Sequence, residues 1–277
     1  MAEITAALVK KLRERSGLPM MECKRALTET NGDEEKAMDL LRKQGAAAAE
    51  KKAGRETSEG RIGSYVDKEK ASAGLVEILC ETAPTASNPE LRTFADMIAK
   101  HVALAGDANA ATIESEVFVD DRGKAVKDVL HDIVNRIREN IKIGRVVRLQ
   151  GRSAVYIHHT GKIGVGITVE GDGNDDALLN DICMHIAAMQ PQAVTRDGMP
   201  ADAVAKEEEI AREQIQQSGK PDHLVDKILT GKMNRWFSEH VLLEQPFVKD
   251  DKQTVGKVAE QAGFKVTGFA RVQVGAE

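Results

Sequence analysis

Aromatic residues are scarce in this 277-residue chain, at 3% of the sequence, so its hydrophobic cores depend on Ala, Val, Ile, Leu and Met. Long apolar runs are absent too, since none reaches the roughly 18 residues that a transmembrane helix needs. The opening segment Met1-Ala2-Glu3-Ile4 has neither the apolar core of a signal peptide nor the Arg- and Ser-rich character of a transit peptide. We therefore expect the chain to act in the cytoplasm, where it is made, and not on a membrane.

Cysteine is also scarce, and there is no excess of positive charge. Cys23, Cys80 and Cys183 lie far apart, and an odd, unclustered set argues against a disulfide framework or a cysteine-based zinc site. It fits a reducing compartment. Lys and Arg total 39 against 44 Asp and Glu, which gives a formal net charge of −5. Because nucleic-acid-binding proteins usually carry a basic excess, we expect a protein or a small ligand as the partner and no nucleic acid.

Motifs for catalysis and cofactor binding are missing. The Gly-Lys pairs at 161–162 and 219–220 lack the upstream Gly and the following Ser or Thr of a phosphate-binding loop. No nucleophile elbow and no H-E-x-x-H zinc motif occurs. Residues 172–176 begin like a calcium loop, but Ala177 and Cys183 stand where that loop needs Gly and Glu. We therefore predict no cofactor, no metal site and no enzymatic chemistry.

His158 and His159 form the one pair of adjacent histidines, at the end of a predicted strand. Neighbouring strand residues point to opposite faces, and a metal site would need further ligands nearby. We favour one packed and one solvated histidine over a metal site. A contact with a partner protein stays open.

The N-terminal segment carries three short helical patterns. A four-residue apolar repeat predicts the first helix, which Gly17 ends. Pro19 suits the first turn of the second helix, and the turn at 31–33 supplies an N-cap for the third, which we expect to end at Gly45 before a helical linker. The predicted domain, residues 1–54, is a small helical bundle with little core.

Met20 and Met21 open the second predicted helix. Adjacent helical residues point about 100° apart, so the two side chains cannot both face a small core. We expect at least one of them to be exposed. Methionine is flexible and suits adaptable interfaces, so this position predicts a protein-docking surface.

The rest of the chain predicts an α+β fold in which strands followed by helices occur twice. We assign residues 55–142 to the first part of this core, and 143–192 with 244–277 to the second, each with an antiparallel sheet. Residues 193–243 contain two long polar helical patterns with narrow apolar stripes, split at 218–221. They predict a protruding antiparallel coiled-coil hairpin.

A signature of two parts stands near the N-terminus, the Leu-Arg-Glu-Arg-Ser-Gly of residues 12–17 followed by the Met-Met-Glu-Cys-Lys-Arg-Ala-Leu of 20–27. Further characteristic segments are 31–33, 51–54, 139–141, 163–165, 217–221, 245–248 and 266–269. In these segments, in order and over almost its whole length, the sequence resembles the translation elongation factor Ts family. The resemblance implies an N-terminal domain similar to ubiquitin-associated domains, and a guanine nucleotide exchange factor for elongation factor Tu.

The resemblance also implies which residues meet Tu. Met20, Met21 and Lys24 would dock on a helix of the Tu GTPase domain, and Ile137 matches an apolar contact of the family. Either His158 or His159 matches an interface histidine, and we favour His158. The nucleotide's magnesium lies on Tu, so the chain would need no cofactor. The hairpin would pair with a second copy, giving a homodimer within a 2:2 complex, or touch Tu.

A loop after Cys80 is where the chain departs from the family. The family has a Thr-Asp-Phe tripeptide that pushes between Tu helices near the magnesium site, whereas this chain has Thr82-Ala83-Pro84. The matching loop, which we call the 82–87 loop, consists of Thr82, Ala83, Pro84, Thr85, Ala86 and Ser87. We expect Pro84 to Ser87 to occupy the same cleft. The missing carboxylate and aromatic ring leave a second reading, a protein that binds Tu without speeding exchange. An unrelated small-molecule enzyme is a third, disfavoured by the missing motifs.

Overall fold

The computed structural model describes residues 3–106, 109–119, 123–218 and 221–276. Its N-terminal helices are α1 (Ala6–Ser16), α2 (Met20–Glu29) and α3 (Glu34–Lys52). Thr5 caps α1 by accepting the backbone N–H of Leu8, and Asp33 caps α3 by accepting that of Lys36. Gly17 ends α1 at φ +69°, a left-handed conformation that favours glycine. The bundle surrounds a small apolar cluster of Val9, Leu12, Leu18, Cys23, Ala26, Leu27, Ala37 and Leu41.

The remaining helices and strands alternate as the sequence pattern predicts. They are β1 (Glu59–Asp67), β2 (Ser72–Cys80), α4 (Ala83–Ala86), α5 (Pro89–Ala105), α6 (Val126–Ile137), β3 (Ile141–Gln150), β4 (Arg152–Ile157), β5 (Ile163–Glu170), α7 (Asp176–Met189), α8 (Ala201–Gln217), α9 (Asp222–His240), β6 (Pro246–Phe247), β7 (Asp250–Thr254), α10 (Val255–Gln261) and β8 (Lys265–Gln273). The α+β class with small antiparallel sheets is confirmed.

The prediction that the third helix ends at Gly45 is wrong, because α3 continues to Lys52. Gly45 is instead a packing position. A Cβ there would lie 2.9 Å from Nδ2 of Asn135, which is a buried residue of α6. The missing side chain therefore allows α3 and α6 to approach closely.

Residue contacts divide the chain into two compact units. The first contains Met1–Tyr65, Gly74–Arg148 and Val272–Glu277, and the second contains Val66–Ala73 and Leu149–Arg271. One sheet has the strand order β1-β2-β3, another has β4-β5-β8, and a short one pairs β6 with β7. Each of the two larger sheets packs with helices around its own apolar cluster.

The same order of elements occurs twice. A strand pair, a helix, a 3₁₀ turn, a second helix and a final strand run β1-β2-α5-α6-β3 in the first copy and β4-β5-α7-α10-β8 in the second, with the 3₁₀ turns at Ile113–Ser115 and Leu242–Glu244. The copies differ at three places. The first has α4 before its first helix, whereas the second has α8 and α9 inserted between its first helix and its 3₁₀ turn, and the strand pair β6–β7 after that turn. The predicted two-part core is therefore an architectural repeat.

A matching histidine site marks the repeat at the level of side chains. His101 on α5 and His185 on α7 are both buried. They face equivalent segments, 116–119 (Glu-Val-Phe-Val) and 245–248 (Gln-Pro-Phe-Val). Nδ1 of each histidine accepts the backbone N–H of the segment's fourth residue at 3.3 Å. Nε2 lies 2.8 Å and 2.9 Å, respectively, from a side-chain oxygen of the first residue.

Helices α8 and α9 pack as an antiparallel pair along a narrow apolar stripe. Near the turn, Ala211 and Ile215 of α8 contact Leu229 of α9. At the other end, Val204 of α8 and Trp236 of α9 pack against one buried cluster of Ala193, Met199 and Val241. The stripe confirms the hairpin read from the sequence, although Gly219 and Lys220 lie outside the described residues. None of the helices described has the length and apolarity needed to cross a membrane.

Candidate functional site

The start of α2 presents two adjacent methionines on the surface. Met20 is 42% exposed and Met21 70% exposed, while Cys23 one turn later is fully buried and anchors the helix. Lys24 follows Met20 by four residues, which places it on the same side of the helix, and it is exposed. Exposed methionine beside a cation is an apolar patch with a polar rim, which suits docking of a protein.

The 82–87 loop contains a single helical turn, α4, which Thr82 precedes as N-cap. Thr82, Ala83, Pro84 and Ser87 are exposed, whereas Thr85 and Ala86 are buried. The loop therefore has an exposed half, residues 82–84, and a second half that is packed at Thr85 and Ala86. Of the segment 84–87 that we expected to enter the cleft, only Pro84 and Ser87 are exposed. The Arg61 guanidinium fixes the packed half by donating to the Ala86 carbonyl at 3.0 Å.

The base of this loop is bound to the turn between α6 and β3 by reciprocal hydrogen bonds, which we call the carboxylate clasp. Oε2 of Glu139 accepts the backbone N–H groups of Glu81 and Thr82, both at 3.1 Å, and Oε1 accepts the Thr82 hydroxyl at 2.6 Å. In return, the Glu81 carboxylate accepts the backbone N–H of Asn140 at 2.6 Å. This bond and the nearby Arg55 guanidinium lower the pKa of Glu81.

The same turn contacts α2. Arg138, the left-handed residue that ends α6, donates to Glu22 of α2, so the residues beside Met21 and beside Glu139 form an ion pair. Lys52 at the end of α3 belongs to this charged group. Burial, followed by repulsion from Arg138 and other cations, lowers its pKa. Helix α2 and the 82–87 loop are therefore joined through residues 138–140, within the first unit.

Of the other candidate residues, Ile137 lies in the first unit, next to Arg138, and the two histidines lie in the second unit. Ile137 is the last residue of α6 and is partly buried against the core. His158 is half-buried, and its Nδ1 lies 3.0 Å from the Tyr156 hydroxyl, while His159 is exposed. One histidine is thus packed and its neighbour solvated, as the sequence suggested.

Sequence reasoning missed three residues that make contacts at this site: Glu22, Arg138 and Glu139. Residues 139–141 were part of the family resemblance, so a signal existed, but it carried no role. Within the described part of the chain, no group of three or more His, Cys, Asp or Glu side chains is placed to hold a metal ion. The arrangement offers an apolar patch, an exposed loop edge and ion pairs, which suit recognition of another protein.

Known proteins give a consistent comparison. The family model described as Elongation factor TS matches residues 81–276. The chain is 45% identical over 276 residues to elongation factor Ts of Methylococcus capsulatus, covering 98% of this chain and 92% of that protein. It is 40% identical over 280 residues to elongation factor Ts of Aquifex aeolicus, covering 96% of each. The corresponding protein of Halothermothrix orenii is 38% identical over 272 residues, covering 96% and 91%.

Proposed function

We propose, from the premise that this chain belongs to the elongation factor Ts family, that it is a guanine nucleotide exchange factor for elongation factor Tu. It would bind Tu with GDP, disturb the magnesium and phosphate site, and promote GDP release during translation elongation in the cytoplasm. The observation that carries the proposal is the connection between α2, which bears the exposed methionines, and the 82–87 loop: Arg138 donates to Glu22 of α2, and the neighbouring Glu139 accepts the Thr82 hydroxyl.

The proposed factor makes and breaks no covalent bond, so it is not an enzyme in the bond-making sense. It acts by binding nucleotide-free Tu more tightly than Tu with GDP. Thermodynamic linkage then requires reciprocity. The ratio by which bound GDP lowers the affinity of Tu for this protein equals the ratio by which this protein lowers the affinity of Tu for GDP. Each ~1.4 kcal/mol of this coupling changes nucleotide affinity tenfold. Magnesium belongs to Tu in this scheme, and the factor supplies no cofactor.

The candidate residues divide into two roles. Met20, Met21 and Lys24 hold the Tu GTPase domain in both nucleotide states, with Ile137 as a further apolar contact. The exposed half of the 82–87 loop supplies the difference between states. His158 is the favoured interface histidine of the second unit, with His159 as the alternative.

The predicted domains give each region a task. Residues 1–54 dock, 55–142 carry the 82–87 loop, and 143–192 with 244–277 support the second contact. The hairpin at 193–243 pairs two copies in a 2:2 complex or touches Tu.

A second candidate function is binding of Tu without acceleration of exchange. Its basis is the loop edge, where Ala83 carries no charge and Pro84 is smaller and more rigid than an aromatic wedge. Both residues are exposed and could reach a partner. Because they are alanine and proline, they offer it no carboxylate and no aromatic ring.

Stopped-flow release of a fluorescent GDP from Tu tests the proposal. An exchange factor raises the release rate with its own concentration until it saturates. Complex formation is measured in parallel by calorimetry with nucleotide-free Tu. A complex that forms while GDP leaves at the spontaneous rate would contradict exchange and support the second candidate. Absence of a complex would contradict both.

A further inference from the structure

We propose that Glu139 is a positioning residue that holds the exposed half of the 82–87 loop in the orientation needed for exchange. The inference rests on the proposed function and extends it to a residue outside the loop and outside the docking helix. Glu139 acts through the loop and makes no contact with nucleotide in this scheme.

The Glu139 carboxylate takes up the polar groups at the point where the loop leaves β2. It accepts two backbone N–H groups and one hydroxyl, at 3.1, 3.1 and 2.6 Å. Hydrogen bonds to a carboxylate are shorter and stronger than neutral ones. Thr82 uses its hydroxyl on Glu139 and makes no side-chain cap to α4. The first turn of the loop therefore depends on a residue from another element.

The clasp is anchored on both of its sides. Glu81 accepts the backbone N–H of Asn140 at 2.6 Å and Nη1 of Arg55 at 3.3 Å. The Asn140 amide donates in turn to the carbonyls of Ala53 and Arg55, which follow α3. Asn140 is buried, so this anchor is shielded from water. Glu139 therefore binds the loop to a turn whose own backbone is held in place by Asn140.

The two halves of the loop are held by different means. Thr85 and Ala86 are buried, and Arg61 binds the carbonyl of Ala86, so packing fixes the second half. The exposed half is held at its start by Glu139 and by a 3.4 Å contact from the Cys80 thiol to the Thr82 carbonyl. Backbone bonds of the helical turn join it to the second half: the Ala86 N–H donates to the Thr82 carbonyl at 3.0 Å, and the Ser87 N–H donates to the carbonyls of Ala83 and Pro84 at 3.2 Å. Removing the carboxylate should therefore loosen residues 82–84 where they leave β2, while the packed half stays in place.

Order in the exposed half matters because this half provides the difference between nucleotide states. A loop that must be ordered during binding loses binding free energy to conformational entropy, whereas a preorganised loop does not. Docking by α2 is independent of that order. Loss of the clasp should then lower the maximal rate of GDP release more than it lowers affinity for Tu.

The test compares Glu139→Ala with Glu139→Gln in the full chain. A glutamine keeps an oxygen for the two N–H groups and can donate its NH₂ to the Thr82 hydroxyl oxygen, so it preserves the geometry. We expect Glu139→Ala to lower the release rate at saturating factor by about tenfold or more, with half-saturation changed by less than about threefold. Glu139→Gln should restore most of the rate. Glu260→Ala, an exposed glutamate of α10, is the matched control.

Amide hydrogen exchange of Glu81 and Thr82 in the free chain provides a readout that does not involve Tu. Exchange should be faster in Glu139→Ala and close to wild type in Glu139→Gln. If Glu139→Ala does not fold, Thr82→Val removes only the hydroxyl donor and should give a smaller change in the same direction.

The outcomes separate the two proposals. Unchanged amide exchange overturns the hold of Glu139 on the loop. Faster amide hydrogen exchange with an unchanged rate of GDP release overturns the role of Glu139 in nucleotide exchange. A loss of the GDP-release rate that Glu139→Gln does not restore overturns it as well. If the wild-type chain leaves GDP release at the spontaneous rate, the proposed function fails, and amide exchange alone decides whether Glu139 holds the loop.

Discussion

In the proposed mechanism, Ala83 and Pro84 are the two residues on which the rate of nucleotide release depends most directly. They stand where the resemblance to the family implies Asp and Phe, and both are exposed. We expect the double change Ala83→Asp with Pro84→Phe to raise the maximal rate of GDP release by about tenfold or more, because it adds a charge and a wedge at the partner's magnesium site. Stopped-flow with fluorescent GDP measures this rate.

The control for this change is Ala110→Asp, which adds the same charge at an exposed alanine that follows the C-terminal end of α5. It should leave the release rate unchanged, since it lies beyond the end of α5 opposite to the 82–87 loop and is not among the residues proposed to contact Tu. An equal increase from both variants would mean that net charge, rather than the loop edge, governs exchange. If the loop variant does not raise the rate of GDP release, the side chains at positions 83 and 84 do not limit that rate.

Sequence reasoning located the loop but not the residue that holds it. The strand before the loop, β2, and the N-cap after it, Asn88, are features of local sequence. Glu139, however, meets Thr82 across 57 positions of sequence. Periodicity places elements, whereas contacts of this kind depend on how those elements pack. The resemblance marked residues 139–141 but gave no physical role for them.

The third helix illustrates how packing overrides a local signal. Glycine disfavours the interior of a helix by about 1 kcal/mol relative to alanine, so the sequence alone places a helix end at Gly45. In the structure that cost is accepted because a Cβ would meet Asn135 on α6. The helix continues, and its last turn reaches Lys52 beside the clasp. The local sequence does not distinguish a glycine that allows two helices to pack closely from a glycine that ends a helix.

The second helix carries the prediction for docking. We expect Met20→Ala with Met21→Ala to weaken the complex with Tu by about tenfold or more, because two apolar side chains would lose burial against the partner. Their exposure in the free chain means that its folding stability should change by less than about 0.5 kcal/mol. Calorimetry with nucleotide-free Tu measures the affinity, and urea unfolding measures the stability.

Met189→Ala is the matched control for the docking helix, since Met189 is 45% exposed and lies on α7 in the second unit. Its affinity for Tu should equal that of wild type. A double variant that binds Tu normally, or one that loses stability instead of affinity, would show that the two methionines serve the bundle and not a partner.

At the scale of the whole molecule, the repeated element order gives two units that differ in what they carry. The first copy bears the 82–87 loop, whereas the second bears the inserted hairpin between Met189 and the turn at Leu242–Glu244. The alternation of strands and helices predicted two related parts. The shared segments 116–119 and 245–248 were a signal at the level of residues, but one Phe and one Val in four positions become meaningful only once each faces a buried histidine.

The repeat predicts a pH dependence in the second unit. The amide nitrogen of Gln245 donates to the carbonyl of Glu239 at 2.8 Å, which turns its oxygen toward Nε2 of His185. His185 is therefore neutral, with a proton on Nε2, and its Nδ1 accepts the N–H of Val248. A second proton would place two donors face to face. Burial lowers the pKa of His185, and the bond to Gln245 opposes this only in part.

Because the native pKa is below that of the unfolded chain, about 6.5 for histidine, the stability that depends on neutral His185 is complete above about pH 6.5 and is lost as pH falls toward the native pKa. One proton limits the slope to about 1.4 kcal/mol per pH unit. We expect His185→Asn, whose Oδ1 can still accept from Val248, to be less stable at pH 7.5 but to have a flatter pH profile. Urea unfolding followed by the fluorescence of Trp236, the only tryptophan and a residue of the same unit, measures it. The control is His223→Asn, at an exposed histidine of α9, which should keep the wild-type slope of stability against pH. If wild type and His185→Asn have equal slopes, His185 does not titrate in this pH range.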